Sequence, residues 1–135
     1  MPALNEAESP EHKKLVRGLM DYLTKEGFRI VCAANVEGYN QCEPIEDRIP
    51  DVMGKNTQEL LAIAEAKSCD DLDNDRTNDQ FKIFSSRIMA VGSSKEQTVP
   101  FYVGIPKTCI EQLQTRLGAL GLSGKTNIHI IWFDI

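Results

Sequence analysis

The chain has no apolar run approaching the ~20 residues that a membrane-spanning helix needs, so no membrane association is expected. It has no CxxC pair: the four cysteines, at positions 32, 42, 69 and 109, stand singly, and the two histidines, His12 and His129, are far apart. That spacing excludes an ordinary structural zinc site. The N-terminus lacks a basic start followed by an apolar stretch, so it does not read as a secretory leader. Four reduced thiols and a cytoplasmic location are the resulting expectation. Positive charge is also in deficit, with 15 Lys and Arg against 20 Asp and Glu and a net charge of −5. An acidic whole counts against phosphate binding but does not exclude it. A local basic patch can coexist with it, and cation sites are themselves built from carboxylates.

No internal repeat or low-complexity linker interrupts the 135 residues, which suits one domain. Residues 1–8 are polar and read as a flexible N-terminus; residues 9–135 read as a single unit. Ser9-Pro10 is a helix start, and Leu15, Val16, Leu19, Met20 and Leu23 recur at helical spacing until Gly27. Residues 28–34 (FRIVCAA) read as a strand, 35–47 as a polar connection, and 48–53 (RIPDVM) as a short second strand. Gly54-Lys55-Asn56 is a turn signal. Residues 59–67 (ELLAIAEAK) have helix propensity but read as a strand, being short and following a turn. Residues 68–76 form an aspartate-rich loop. Thr77-Asn78-Asp79-Gln80 resembles a capping box that opens a helix to about residue 91. Residues 98–105 read as a strand that Pro100 starts late, and Thr108-Cys109-Ile110-Glu111 as a second capping box before a helix ending near Gly121. Residues 127–133 (NIHIIWF) are the last strand. The expected order is αβββαβαβ, an α/β domain.

One constellation carries chemistry: Ile49-Pro50-Asp51 followed by Glu65-Ala66-Lys67. Residues two apart on a strand share a face, so Glu65 and Lys67 point the same way. A hairpin would set Asp51 beside them. Two carboxylates and the backbone carbonyl of Ala66 are hard oxygen ligands suited to Mg²⁺ or Mn²⁺. Such an ion polarises a phosphoryl oxygen and acidifies a water, and Lys67 would hold that water or offset developing charge.

At these residues the chain resembles the PD-(D/E)XK nuclease superfamily, over roughly residues 9–105. The resemblance lies in IPD…EAK and in the expected order αβββαβ. It implies a restriction-endonuclease-like core: a mixed central sheet flanked by helices, here with an added C-terminal helix and strand, and a branch near the Holliday junction resolvases among the options. It further implies a Mg²⁺-dependent deoxyribonuclease with Asp51 and Glu65 as metal ligands and Lys67 as catalytic lysine. Gln80 matches a glutamine found in some branches, and Glu11 or His12 the first-helix acid of others. DNA is the implied partner, and pairing as a homodimer would let two copies reach two strands; the apolar last strand would either complete the sheet or form an interface. A non-catalytic member of the same fold, serving DNA binding or protein assembly, is the competing reading.

Each residue also has a plainer reading. Asp51 can bond a turn amide, Gln80 can serve only as a cap, and Glu11 can simply favour the helix dipole. His12 lies on the inward stripe of its helix, where a satisfied core histidine competes with a metal or phosphate role. Asp70, Asp71, Asp73 and Asp75 read as a solvated loop, lacking the Gly and terminal Glu of an EF-hand. His129 reads as structural. Lys13, Lys14, Arg17, Lys25, Lys82 and Arg87 read as solvated faces that double as phosphate contacts if DNA lies along them.

Overall fold

The first helix, α1 (Pro10–Lys25), starts where Ser9 accepts the His12 backbone N–H at 3.0 Å, with Pro10 in its first turn. It buries His12, Leu15, Val16, Leu19 and Leu23 on one stripe. The computed structural model describes residues 9–135, so the expected flexible N-terminus lies outside the described residues. Beyond α1 the order is β1 (Arg29–Ala33), β2 (Val52–Lys55), β3 (Leu61–Ala66), α2 (Asp75–Phe84), β4 (Phe101–Pro106), α3 (Ile110–Ala119) and β5 (Ile128–Phe133), which is the expected αβββαβαβ. The strands form one mixed sheet in the order β1-β2-β3-β4-β5. The first three are mutually antiparallel, and β4 and β5 run parallel to β3. The chain is an α/β protein with a helix layer on each face of the sheet.

Side-chain alternation divides the core. Ala62, Ala64 and Ala66 of β3 face α1, together with Val52 and Tyr102. Ile63 faces the other way, with Phe101, Val103 and Ile105 of β4, under Phe81 and Phe84 of α2 and Leu113 and Leu117 of α3. Burying each large apolar side chain contributes ~1.5–3 kcal/mol, so both layers are held mainly by these contacts. β5 completes the sheet at its edge, sending Ile128 and Ile130 into one core and Ile131 and Phe133 into the other.

Several local expectations are corrected. The second strand begins at Val52 rather than at position 48, because Arg48 closes a tight turn with Ile45. Glu46 and Asp47 occupy that turn at φ 47° and 69°. Such a turn usually announces itself with Asn-Gly. Gly54 is not a turn residue. It lies within β2, where a Cβ would sit 2.9 Å from the Cβ of Phe28, so the position stays bare to admit the neighbouring strand. The true turn is built by Asn56, whose side-chain oxygen accepts the N–H groups of Gln58 and Leu60, both at 2.9 Å.

Neither expected capping box forms. Asn74 caps α2 by accepting the Thr77 N–H at 2.8 Å, while the Thr77 hydroxyl donates to the Asp71 carbonyl. Cys109 precedes α3 with no side-chain cap bond. α2 also stops at Phe84, well short of residue 91. The Ser85 and Ser86 hydroxyls both bond the Lys82 carbonyl, and the chain then folds back so that Met89 N–H meets the Gln97 carbonyl.

The four cysteines are not reduced thiols. Cys32 pairs with Cys42 and Cys69 with Cys109, their Cα atoms 5.0 and 5.6 Å apart. Sequence spacing could not show this, since the first pair forms because the 35–50 loop returns along β1, where Ala33 N–H meets the Asn40 carbonyl at 2.9 Å. The second forms because β3 and β4 are adjacent and parallel, bringing the segments after them together. No described helix is long and apolar enough to cross a membrane.

Candidate active site

Asp51 stands immediately before β2, and the antiparallel pairing of Val52 with Ala64 places it opposite the end of β3. The two elements are stitched by side chain as well as backbone. Asp51 N–H donates to Glu65 Oε1 at 3.0 Å, and Ala66 N–H donates to Asp51 Oδ2 at 2.8 Å. Glu65 and Lys67 share the face of β3 that Ile63 begins. Lys67 Nζ lies 3.6 Å from Glu65 Oε2, and the Lys67 backbone N–H is fixed to the Gly104 carbonyl at 2.9 Å.

From α1, His12 Nε2 reaches Asp51 Oδ2 at 3.1 Å. Of the two first-helix candidates, this contact involves His12. Glu11 points to solvent, and His12 turns inward. Gln80, on the second turn of α2, faces the same centre, and with Asn74 as the cap it has no capping duty. Its Oε1 is buried without a hydrogen-bond partner among the described residues. Exposure is 8% for Asp51, 3% for Glu65, 1% for Lys67, 7% for Gln80 and 2% for His12.

These five residues border one cleft of about 400 Å³. Its rim is built from the 35–50 loop and from α2, joined by the Arg48–Asp79 ion pair at 2.8 Å, and Arg76 stands at its edge. Ala66 is fully buried and meets the site through its backbone.

Burial of a lysine is costly and rare unless the charge is paired. Here it is matched by Glu65, in a place where two carboxylates already crowd together. Asp51 Oδ2 is engaged by Ala66 N–H and His12, which orients the carboxyl. Such a set can bind a hard cation and present an ammonium beside it.

Residues outside the cleft are accounted for by packing. His129 stacks on Tyr102 with ring centroids 4.9 Å apart. Of the aspartate loop, Asp73 pairs with Arg116 and Asp71 lies 3.9 Å from Arg76. Sequence reasoning did not single out Arg48 and Arg76. A lone arginine in a polar connection carries no periodic signal, and only the folding of the loop against α2 brings them to the rim. Among the described residues no group of three or more His, Cys, Asp or Glu side chains forms a ready cage for a metal. No family model, curated protein or solved structure matches this chain.

Proposed function

We propose that the chain is a metal-dependent nuclease of the PD-(D/E)XK kind, hydrolysing DNA phosphodiesters at the cleft bordered by Asp51, Glu65 and Lys67. The observation that carries the reading is the gathering of these three nearly buried side chains around one opening, with the carboxylates cross-linked through backbone N–H groups. An oppositely charged pair used only for structure would be expected to forgo such a cleft. A Mg²⁺ or Mn²⁺ ion suits the donor set, because Mg²⁺ keeps several waters and takes only one or two carboxylates. It needs no cage of three side chains. Asp51 and Glu65 would hold it, with the Ala66 carbonyl as a further oxygen ligand and His12 holding Asp51 in place. When bound, the ion supplies Lewis acidity at the phosphoryl oxygen and a more acidic water.

The chain's own groups do the rest. Lys67 places an ammonium beside Glu65, where it orients the attacking water and offsets charge on the phosphoryl oxygens. The water gives up a proton to solvent as its oxygen forms the new P–O bond, the bridging P–O bond breaks, and the departing oxygen takes up a proton from solvent. Gln80 offers its amide to the phosphate or to the water. The fold around this centre would then be restriction-endonuclease-like, with α3 and β5 as additions.

The competing reading is a non-catalytic domain of the same kind that serves DNA binding or protein assembly, and the net charge of −5 favours its protein-assembly form. The two separate on one assay. Supercoiled plasmid and single-stranded circular DNA are incubated at low salt with Mg²⁺ or Mn²⁺. The wild type is expected to cut, and Asp51→Asn to lose at least about four orders of magnitude, ~5 kcal/mol of transition-state stabilisation. An uncut substrate, or an Asp51→Asn chain that cuts as well as wild type, removes the nuclease reading.

A further inference from the structure

A second hollow of about 190 Å³ adjoins the cleft, and His12, Ala34 and Asn35 border both. The two hollows meet at these three residues and are taken together as one trough. Its far end is formed by Lys13 and Arg17, exposed and one helical turn apart on α1, with Glu37 also on its border. Its other end carries Arg48 and Arg76. Cationic side chains thus border both hollows, with Arg48 paired to Asp79 and Asp47 also on the border of the cleft. Such a border can hold the phosphates of a polyanion next to one reacting phosphate. The outer wall is the 35–50 loop, which is held at one end by the Cys32–Cys42 pair and at the other by Arg48–Asp79.

A reacting phosphate must descend to carboxylates that are less than one-tenth exposed. A DNA duplex is stiff, with a persistence length of ~150 base pairs, and presents its phosphates on a convex surface. Bringing one of its phosphates down to those carboxylates would require distorting it. A single strand is flexible, and a charged groove is how such strands are tracked.

We propose that this site takes single-stranded DNA, and that Lys13 and Arg17 bind the backbone phosphates next to the one at the reacting centre. This rests on reading the Asp51 centre as a phosphodiester site. One copy of the chain then suffices for its substrate.

The test is binding without cleavage: fluorescence anisotropy of the full chain in EDTA, with labelled oligo(dT) of about 12 nucleotides, within the range one charged groove tracks, against a blunt duplex of equal length. The single strand is expected to bind at least about tenfold more tightly. Lys13→Gln/Arg17→Gln is expected to weaken it about tenfold and to flatten the dependence of log K on log salt by roughly 1.4, from ~0.7 per single-strand phosphate contact. Lys95→Gln/Lys107→Gln, equal in charge and outside the trough, is expected to change affinity less than twofold. Circular dichroism melting confirms that both variants fold. Equal or tighter duplex binding, or equal losses in the two double variants, overturns the proposal. Loss of strand preference with cleavage intact sinks only this inference, whereas preference retained without any metal-dependent cutting sinks only the nuclease reading.

Discussion

The two faces of the sheet are built on opposite plans. Toward α1, β3 shows only alanines, and β4 shows Gly104, where an added Cβ would lie 2.8 Å from Leu19 Cγ. Small residues let the helix settle close, and the face stays apolar along the whole of β3. Toward α2 and α3, the same strand runs Ile63, Glu65, Lys67. It begins beside Phe101 and under Phe81 and ends in two buried charges. α2 matches this change within one turn: Phe81 covers the apolar part and Gln80 the charged part. The first face can only pack, and it does so at close range. The second gives up core at one end in exchange for a site.

The contrast can be broken most severely at the charged pair. Glu65→Gln and Lys67→Met are each expected to cost about 3–5 kcal/mol, because each removes one half of a buried ion pair. The double variant should lose clearly less than the sum. Chemical denaturation of all four proteins checks this; small, additive losses would mean that the pair is not held by its charges. On the tight face, Gly104→Val is expected to lower stability by about 1–3 kcal/mol through overpacking against Leu19, while leaving metal-dependent cutting per folded molecule intact. Gln80→Met should move stability and activity in opposite directions. Removing a buried, unpartnered acceptor is expected to raise stability by ~1 kcal/mol and to slow cleavage by tenfold or more. A stabilised variant with full activity would return Gln80 to a packing role.

The smallest effect is expected far from the site, at Glu59. The Ser93 backbone N–H and then its hydroxyl, with a lesser contribution from Lys55, hold this carboxyl below the usual carboxylate range. A depressed folded-state value stabilises the fold above the unfolded value and loses that contribution as pH falls through the folded one. Glu59→Gln should therefore lower the melting temperature slightly at neutral pH, with the difference from wild type vanishing in strong acid. A difference that persists there would point to the Glu59 backbone, at φ 66°, rather than to its charge.

By itself the sequence determined the order of elements and the residues that share a face. Periodicity and alternation are local properties, so the α1 stripe could be read from spacing and, once residues 59–67 were taken as a strand on their shortness and on the family resemblance, so could the common side of Glu65 and Lys67. Asp51, Glu65 and Lys67 stood out because charges at the end of an apolar run are anomalous wherever the run is buried. Contacts between distant segments were left to the tertiary structure. Antiparallel pairing put Asp51 against β3, the docking of α1 brought His12 to Asp51, and Asn74 took the cap and released Gln80. Adjacent parallel strands brought Cys69 to Cys109, and a tight Glu-Asp turn carried Arg48 to the rim. None of these has a local signature, since each depends on which surfaces meet when apolar faces are buried.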